Sequence, residues 1–177
     1  MIIVCIDTQI LFWATVKKAA RGAEQFIPLA TDLMRWIEQQ KHQIIVPTIV
    51  IGELLIPVAE QDQATVLKQL SQDWMIVEYD LRAARIFAKM RRDQITRDRL
   101  HDLRQMFPDV TKKELVADLM IIATAMAHGA ETIFSHNKDL RALAEGSIDT
   151  KSFEDVPLQL SLDLGEQTPD DEPGDES

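Results

Sequence analysis

Four acids, Asp7, Glu53, Asp118 and Asp139, stand where a carboxylate needs a partner. Asp118 is the plainest case. It is the one ionisable residue in the otherwise apolar stretch 115–127, and a carboxylate is rarely buried unless something pairs with it or coordinates it. Asp7 follows the apolar run 2–6, Glu53 comes soon after the apolar run at 44–46, and Asp139 follows a third run at 132–135. Two carboxylates about 4 Å apart at an effective dielectric near 20 repel by roughly 4 kcal/mol, so four converging acids stay ionised together only around a cation. An all-oxygen donor set suits Mg²⁺ or Mn²⁺. Ions held this way typically act on phosphate esters, polarising the phosphoryl oxygen and activating a water for in-line attack.

For that chemistry the acids must meet, and hydrophobic periodicity says how. Residues 2–6 read as a strand covered on both faces, as in a parallel sheet. A first helix is expected over 8–16, with release at Gly22; a second begins near Pro28 and sets Leu29, Leu33, Trp36 and Ile37 at helical spacing. A second strand at 43–46 is stopped by Pro47, and Thr48 is positioned to cap the helix that carries Glu53 until Pro57 interrupts it. Residues 62–70 suggest a short amphipathic helix and 74–79 a third strand, after which Asp80 caps a helix bearing Ala84, Phe87 and Met90. A further helical piece runs over 97–106 before Pro108 breaks it. In TKKE, Thr111 and Glu114 form a capping box, so the apolar helix with Asp118 starts near Lys112. Gly129, free to take positive φ, ends it. A strand at 132–135 and an edge strand near 148–152 complete the set. Strands alternating with helices predict an α/β sandwich around a mainly parallel sheet, in which ligands bind at the carboxyl ends of the strands. Asp7, Glu53 and Asp139 all fall at that edge.

At 177 residues and 46% hydrophobic content, the chain suits one domain with an ordinary core. No apolar run is long enough to cross a bilayer, and MIIVCIDTQ has neither a basic leader nor a small-residue cleavage site, so a soluble cytoplasmic protein is expected. The single cysteine, Cys5, reads as a buried small hydrophobe. The net charge of −10 is concentrated late in the chain: residues 152–177 hold nine acids and no Lys or Arg, leaving 20 acids against 19 bases before them. Residues 1–151 are therefore nearly neutral, and the domain is expected over 1–156. Residues 157–177, acidic and rich in Pro and Gly, read as a disordered tail.

CIDTQILFWA with Asp7, VPTIVIGELL with Glu53, ELVADLMIIATAMAHGA with Asp118 and TIFSHNKDL with Asp139 occur in this order over most of the chain. Together they resemble the PIN domain family of metal-dependent nucleases, and its bacterial VapC-type toxin-like members in particular. The resemblance implies an α/β/α sandwich with a four- to five-stranded, mainly parallel sheet. It implies one or two Mg²⁺ or Mn²⁺ ions in an acidic pocket, endonucleolytic cleavage of RNA, a homodimer and a cognate antitoxin partner. Asp7, Glu53 and Asp118 match the family's three best-kept acids. The fourth falls at Asn137 in some members and at Asp139 in others, so either residue can reach the second metal or its water. Thr8 is expected to orient the Asp7 carboxylate. The interval from Arg92 to Thr111 is longer than the resemblance implies.

Residues 82–104 hold eight basic residues against Asp93, Asp98 and Asp102, a local charge of +5. Arg92, Arg97 and Arg99 are candidates for a phosphate-backbone track beside the acids; the competing reading is a solvated helical face with local ion pairs. Competing readings exist for the acids too: Asp118 paired with Lys or Arg, Glu53 solvated, Asp139 capping the helix in NKDLRAL, Asp7 forming a turn. His136 reads as structural, because metal-activated water needs no separate base, and His42, His101 and His128 carry no argument. The alternative to a nuclease is a PIN-fold module that binds RNA or protein without cleaving. An aspartyl phosphatase fits poorly, since Asp7 is followed by Thr8-Gln9-Ile10 and lacks a second acid two residues on.

Overall fold

Val4, Cys5 and Ile6 are completely buried, and they form the centre of strand β1 (Ile3–Ile6), with helices packed over both faces of the sheet. Burial pushes the Cys5 thiol far up from its ordinary value, which leaves it as a small core hydrophobe. The structure is a computed structural model, and it describes residues 1–106 and 111–157. The expected helix break at Pro108 and the expected acidic tail after residue 157 lie outside the described residues.

After β1 come α1 (Thr8–Thr15) and α2 (Phe26–Gln39), then β2 (Gln43–Pro47), α3 (Thr48–Leu55), α4 (Glu60–Asp73) and β3 (Met75–Val77). The chain continues through α5 (Leu81–Arg92), α6 (Gln94–Met106) and α7 (Lys112–Ala127) to β4 (Thr132–Phe134), α8 (Lys138–Ala144), β5 (Asp149–Lys151) and a 3-10 turn at Phe153–Asp155. All four strand pairings are parallel, in the order β3-β2-β1-β4-β5. The chain first steps outward from β1 to β2 and β3, then returns across the sheet to β4 on the opposite flank of β1. Right-handed crossovers place the helices of these two excursions on opposite faces. In the packing, α1 meets α2 and α3, α7 meets α5 and α8, and α3 also touches α7. The direction of winding reverses between β1 and β4, which is the crevice where open α/β sheets bind ligands.

Several ends follow the local chemistry expected. Asp80 caps α5 by accepting from the Ala83 N–H, and Thr111 with Glu114 forms the capping box of α7. Gly129 takes φ of 76° just past the α7 end, where a residue with a Cβ would be strained. Thr48 does not cap α3: the extended cap position belongs to Pro47, which offers no side-chain acceptor, and Thr48 is the first helical residue. α6 begins three residues earlier than the 97–106 reading, because Asp93 accepts from the Thr96 N–H and starts it at Gln94. This helix fills most of the long interval before α7.

Candidate active site

Parallel pairing builds the site. Ile6 of β1 is in register with Phe134 of β4, so the residues that follow them, Asp7 and Ser135, emerge side by side. The Asp7 N–H continues the ladder to the Phe134 carbonyl at 3.0 Å. Ser135, completely buried, donates its hydroxyl to Asp7 Oδ2 at 2.6 Å and accepts from the Asn137 N–H at 3.0 Å. Asp7 Oδ1 accepts from the Thr8 N–H at 2.7 Å, which also makes Asp7 the cap of α1. The expected orienting role of Thr8 is thus carried by its backbone; its hydroxyl donates to Glu53 Oε2 and ties α1 to α3.

Asp118 comes from the middle of α7, on the opposite side of the crevice. Its partner is Asn137, whose Nδ2 stands 3.4 Å from both carboxylate oxygens, while Asn137 Oδ1 caps α8 by accepting from the Asp139 N–H at 2.9 Å. No Lys or Arg among the described residues makes an ion pair with Asp118. Asp7, Thr8, Gln9, Glu53, Glu114, Asp118, Asn137 and Asp139 line one pocket of about 410 Å³. All four sequence-expected acids and both expected supporting residues therefore meet. Arg92, Arg97 and Arg99 do not line it.

Electrostatics mark the pocket as proton-holding. Asp7 is 3% exposed, and burial raises its carboxyl to about 6 against the lowering donors Ser135 and Thr8, with the Glu53 charge adding to the rise. Asp118 is raised further, to about 8, first by burial and then by the charges of Asp7, Glu53 and Asp139. Burial and the Glu114 charge raise Asp139. The pocket gathers carboxylates with no Lys or Arg among its lining residues, a charge that an external cation would balance. The donors are hard oxygens, which fits Mg²⁺ or Mn²⁺. Among the described residues no group of three or more His, Cys, Asp or Glu side chains is placed to hold a metal ion as it stands.

Two participants escaped sequence reasoning. Ser135 sits in SHNKDL beside the acids, but a serine at a strand end is commonplace, and only the β1–β4 register reveals its target. Glu114 was legible as a cap, and it is one: its carboxylate accepts from the Thr111 N–H at 2.6 Å. The same side chain borders the pocket, because it lies one helical turn before Asp118 on α7. His136 shares a hydrogen bond of 3.1 Å with Ser152 Oγ and packs against Phe26 with ring centres 4.5 Å apart.

A family model described as PIN domain matches residues 4–146. The chain belongs to the PIN domain family. Among curated proteins no sequence matches. The PIN domain fold is shared with solved structures at low identity. VapBC2 from Rickettsia felis, bound to a DNA fragment from their promoter, is 18% identical, with a TM-score of 0.55 over 85% of this chain and 98% of that one. VapBC-1 from nontypeable Haemophilus influenzae is 12% identical, with a TM-score of 0.56 over 86% and 98%. DNA-bound VapBC from Salmonella typhimurium is 16% identical, with a TM-score of 0.53 over 86% and 99%. This PIN domain therefore spans nearly the whole length of each of those chains. No helix among its described residues is long and apolar enough to cross a membrane.

Proposed function

We propose that this PIN domain protein is a Mg²⁺- or Mn²⁺-dependent endoribonuclease and the toxin of a toxin–antitoxin pair, acting in the cytoplasm as a homodimer with a cognate antitoxin. The single observation that carries the reading is the gathering of Asp7, Glu53, Asp118 and Asp139 on one pocket at the winding switch of the sheet, without a cationic side chain among the residues that line it. The VapBC identity of the fold neighbours and the toxin-like sequence motifs support the toxin assignment.

Asp7, Glu53 and Asp118 would hold the ion, with Asp139 completing the pocket and Asn137 steering Asp118. When bound, the ion supplies Lewis-acid polarisation of the phosphoryl oxygen and a lowered pKa for an attacking water. The chain's own residues supply the rest. Ser135 and the Thr8 N–H fix both oxygens of Asp7, so its carboxylate cannot swing away from the crevice. The Thr8 hydroxyl holds Glu53 toward the same side. Burial and the charges of Asp7, Glu53 and Asp139 hold the Asp118 carboxyl up to about 8, so a bound ion would compete there with a proton.

The test is sequencing of cellular RNA fragments after brief expression of the wild type and of Asp7→Asn. Cleavage at defined positions is expected for the wild type alone. Identical fragment ends from the two proteins would overturn the reading and favour a PIN-fold module that binds without cutting.

A further inference from the structure

Between α5, α6 and α7 lies a second cleft, of about 180 Å³, bordered by Arg91, Arg97, Arg104 and Lys112 over the buried side chains of Leu100 and Leu115. His101 adds its ring, and no carboxylate lines the cleft among the described residues. Arg97, His101 and Arg104 stand at helical spacings of four and then three, so they share one face of α6, while Asp98 and Asp102 lie roughly 100–140° around the helix. The two acids of α6 are thus turned away from the cleft in space.

Among the described residues none of Arg91, Arg97, Arg104 and Lys112 takes part in an ion pair; Arg97 donates only to the neutral Gln94 Oε1, at 2.6 Å. Arg99 behaves differently: its guanidinium reaches Glu145, with Nη2 3.4 Å from the carboxylate and Nη1 donating to the carbonyl, which ties α6 to the end of α8. Like charges crowded on one cleft repel, and a bound anion reverses the sign of that term.

Helix α7 connects this cleft to the acids. Lys112 and Leu115 face the cleft, while Glu114 and Asp118, on another side of the same helix, face the acidic pocket. Lys112 of the cleft and Glu114 of the acidic pocket are two residues apart on that helix, so one extended strand can touch both sites. We infer that the Arg91–Arg97–Arg104–Lys112 cleft seats a backbone phosphate of a single-stranded RNA whose reacting phosphodiester lies in the acidic pocket. The inference rests on the nuclease reading above. Its four cationic donors are charges on flexible stems, which hold phosphate rather than base edges, so the cleft positions the strand and carries no sequence preference. Of the arginines expected to form the track, Arg97 belongs to this cleft, whereas Arg92 and Arg99 do not line it.

The experiment follows the salt dependence of binding to a short single-stranded RNA of mixed sequence, in an Asp7→Asn background with Mg²⁺ present. Every phosphate that the protein no longer neutralises reduces the slope of log K against log salt by about 0.7, so Arg97→Ala/Arg104→Ala, which gives up the one phosphate of the cleft, is expected to reduce it by about 0.7. A fourfold rise in salt then costs that variant about 2.6-fold less affinity than it costs the parent. Arg97→Lys/Arg104→Lys should recover most of the slope, separating the effect of charge from that of structure, and Arg99→Ala should leave the slope unchanged. The cleft is overturned if the Ala pair keeps the parent's slope and affinity, if the Lys pair behaves like the Ala pair, or if the parent binds no RNA at all. Wild-type protein with Mn²⁺ is tested for cleavage of the same RNA in parallel. Absence of cleavage with a normal slope response overturns the nuclease reading and leaves the cleft standing as a phosphate-binding notch.

Discussion

Asp7 and Asp118 retain protons that ordinary aspartates release, with carboxyls raised to about 6 and about 8 chiefly by burial. Because these values stand above those of the unfolded chain, the folded protein binds more protons between about pH 4 and pH 8, and stability of the ion-free protein falls as pH rises through that window. Asp118→Asn removes the larger part of this effect. In chelator it is expected to be more stable than wild type at pH 8, by on the order of 1–3 kcal/mol, with the gap shrinking toward pH 5. Denaturant melts at the two pH values check this; a gap independent of pH would contradict it. The same protons compete with a metal, so Mn²⁺ affinity measured by calorimetry should climb from pH 6 to pH 8. Ser135→Ala strips Asp7 Oδ2 of its buried donor and leaves the Asn137 N–H without its acceptor. Removing such a supporting hydrogen bond typically weakens metal binding about 10–100-fold, and Mn²⁺ titration of this variant gives the value directly. At this scale the acids were readable in sequence because a carboxylate in an apolar stretch needs a reason. Ser135 was not, since its role depends on a strand pairing between residues 128 positions apart.

Helix α7 carries the site across the core, and both its ends are set by local chemistry. Thr111→Ala removes a side-chain acceptor from the Glu114 N–H and should cost about 1 kcal/mol, read as a lower denaturation midpoint. Gly129→Ala places a Cβ 3.9 Å from Ile3 Cδ1, an ordinary contact, so the expected cost of about 1–2 kcal/mol comes from backbone strain at φ of 76° alone. Equal stability of Gly129→Ala and wild type would show that the turn relaxes. Such signals made the ends of α5 and α7 visible in sequence, as a cap acts within a few residues of itself. The start of α3 was misread at Thr48 because an extended proline can precede a helix without any side-chain cap. β3 is shorter than the 74–79 reading: its pairing with β2 covers only Met75–Val77, and pairing length is a property of two strands rather than one.

At the scale of the molecule, the reversal of winding between β1 and β4 decides where the acids can meet. Alternation of strands and helices foretold a parallel sheet, but the order β3-β2-β1-β4-β5 follows from long-range pairing that periodicity does not encode. Charge is likewise a global property: the chain is −10 overall, yet its later acids leave a nearly neutral domain with a basic cleft on one side of α7 and an acidic pocket on another. If residues 157–177 act as an anionic competitor for the cleft, truncation after Val156 should tighten RNA binding at low salt, through the millimolar effective concentration of a tethered segment. Equal affinities of the two proteins would make the tail an aid to solubility only. The central claim, that these four carboxylates make a metal-dependent ribonuclease, is tested most directly by a time course of RNA cleavage with protein stripped of divalent ions, before and after addition of Mn²⁺. The expected result is no cleavage in chelator, cleavage restored by Mn²⁺ or Mg²⁺ in the wild type, and none under either condition in Asp118→Asn. Full cleavage by the metal-free protein, or by Asp118→Asn, would contradict it.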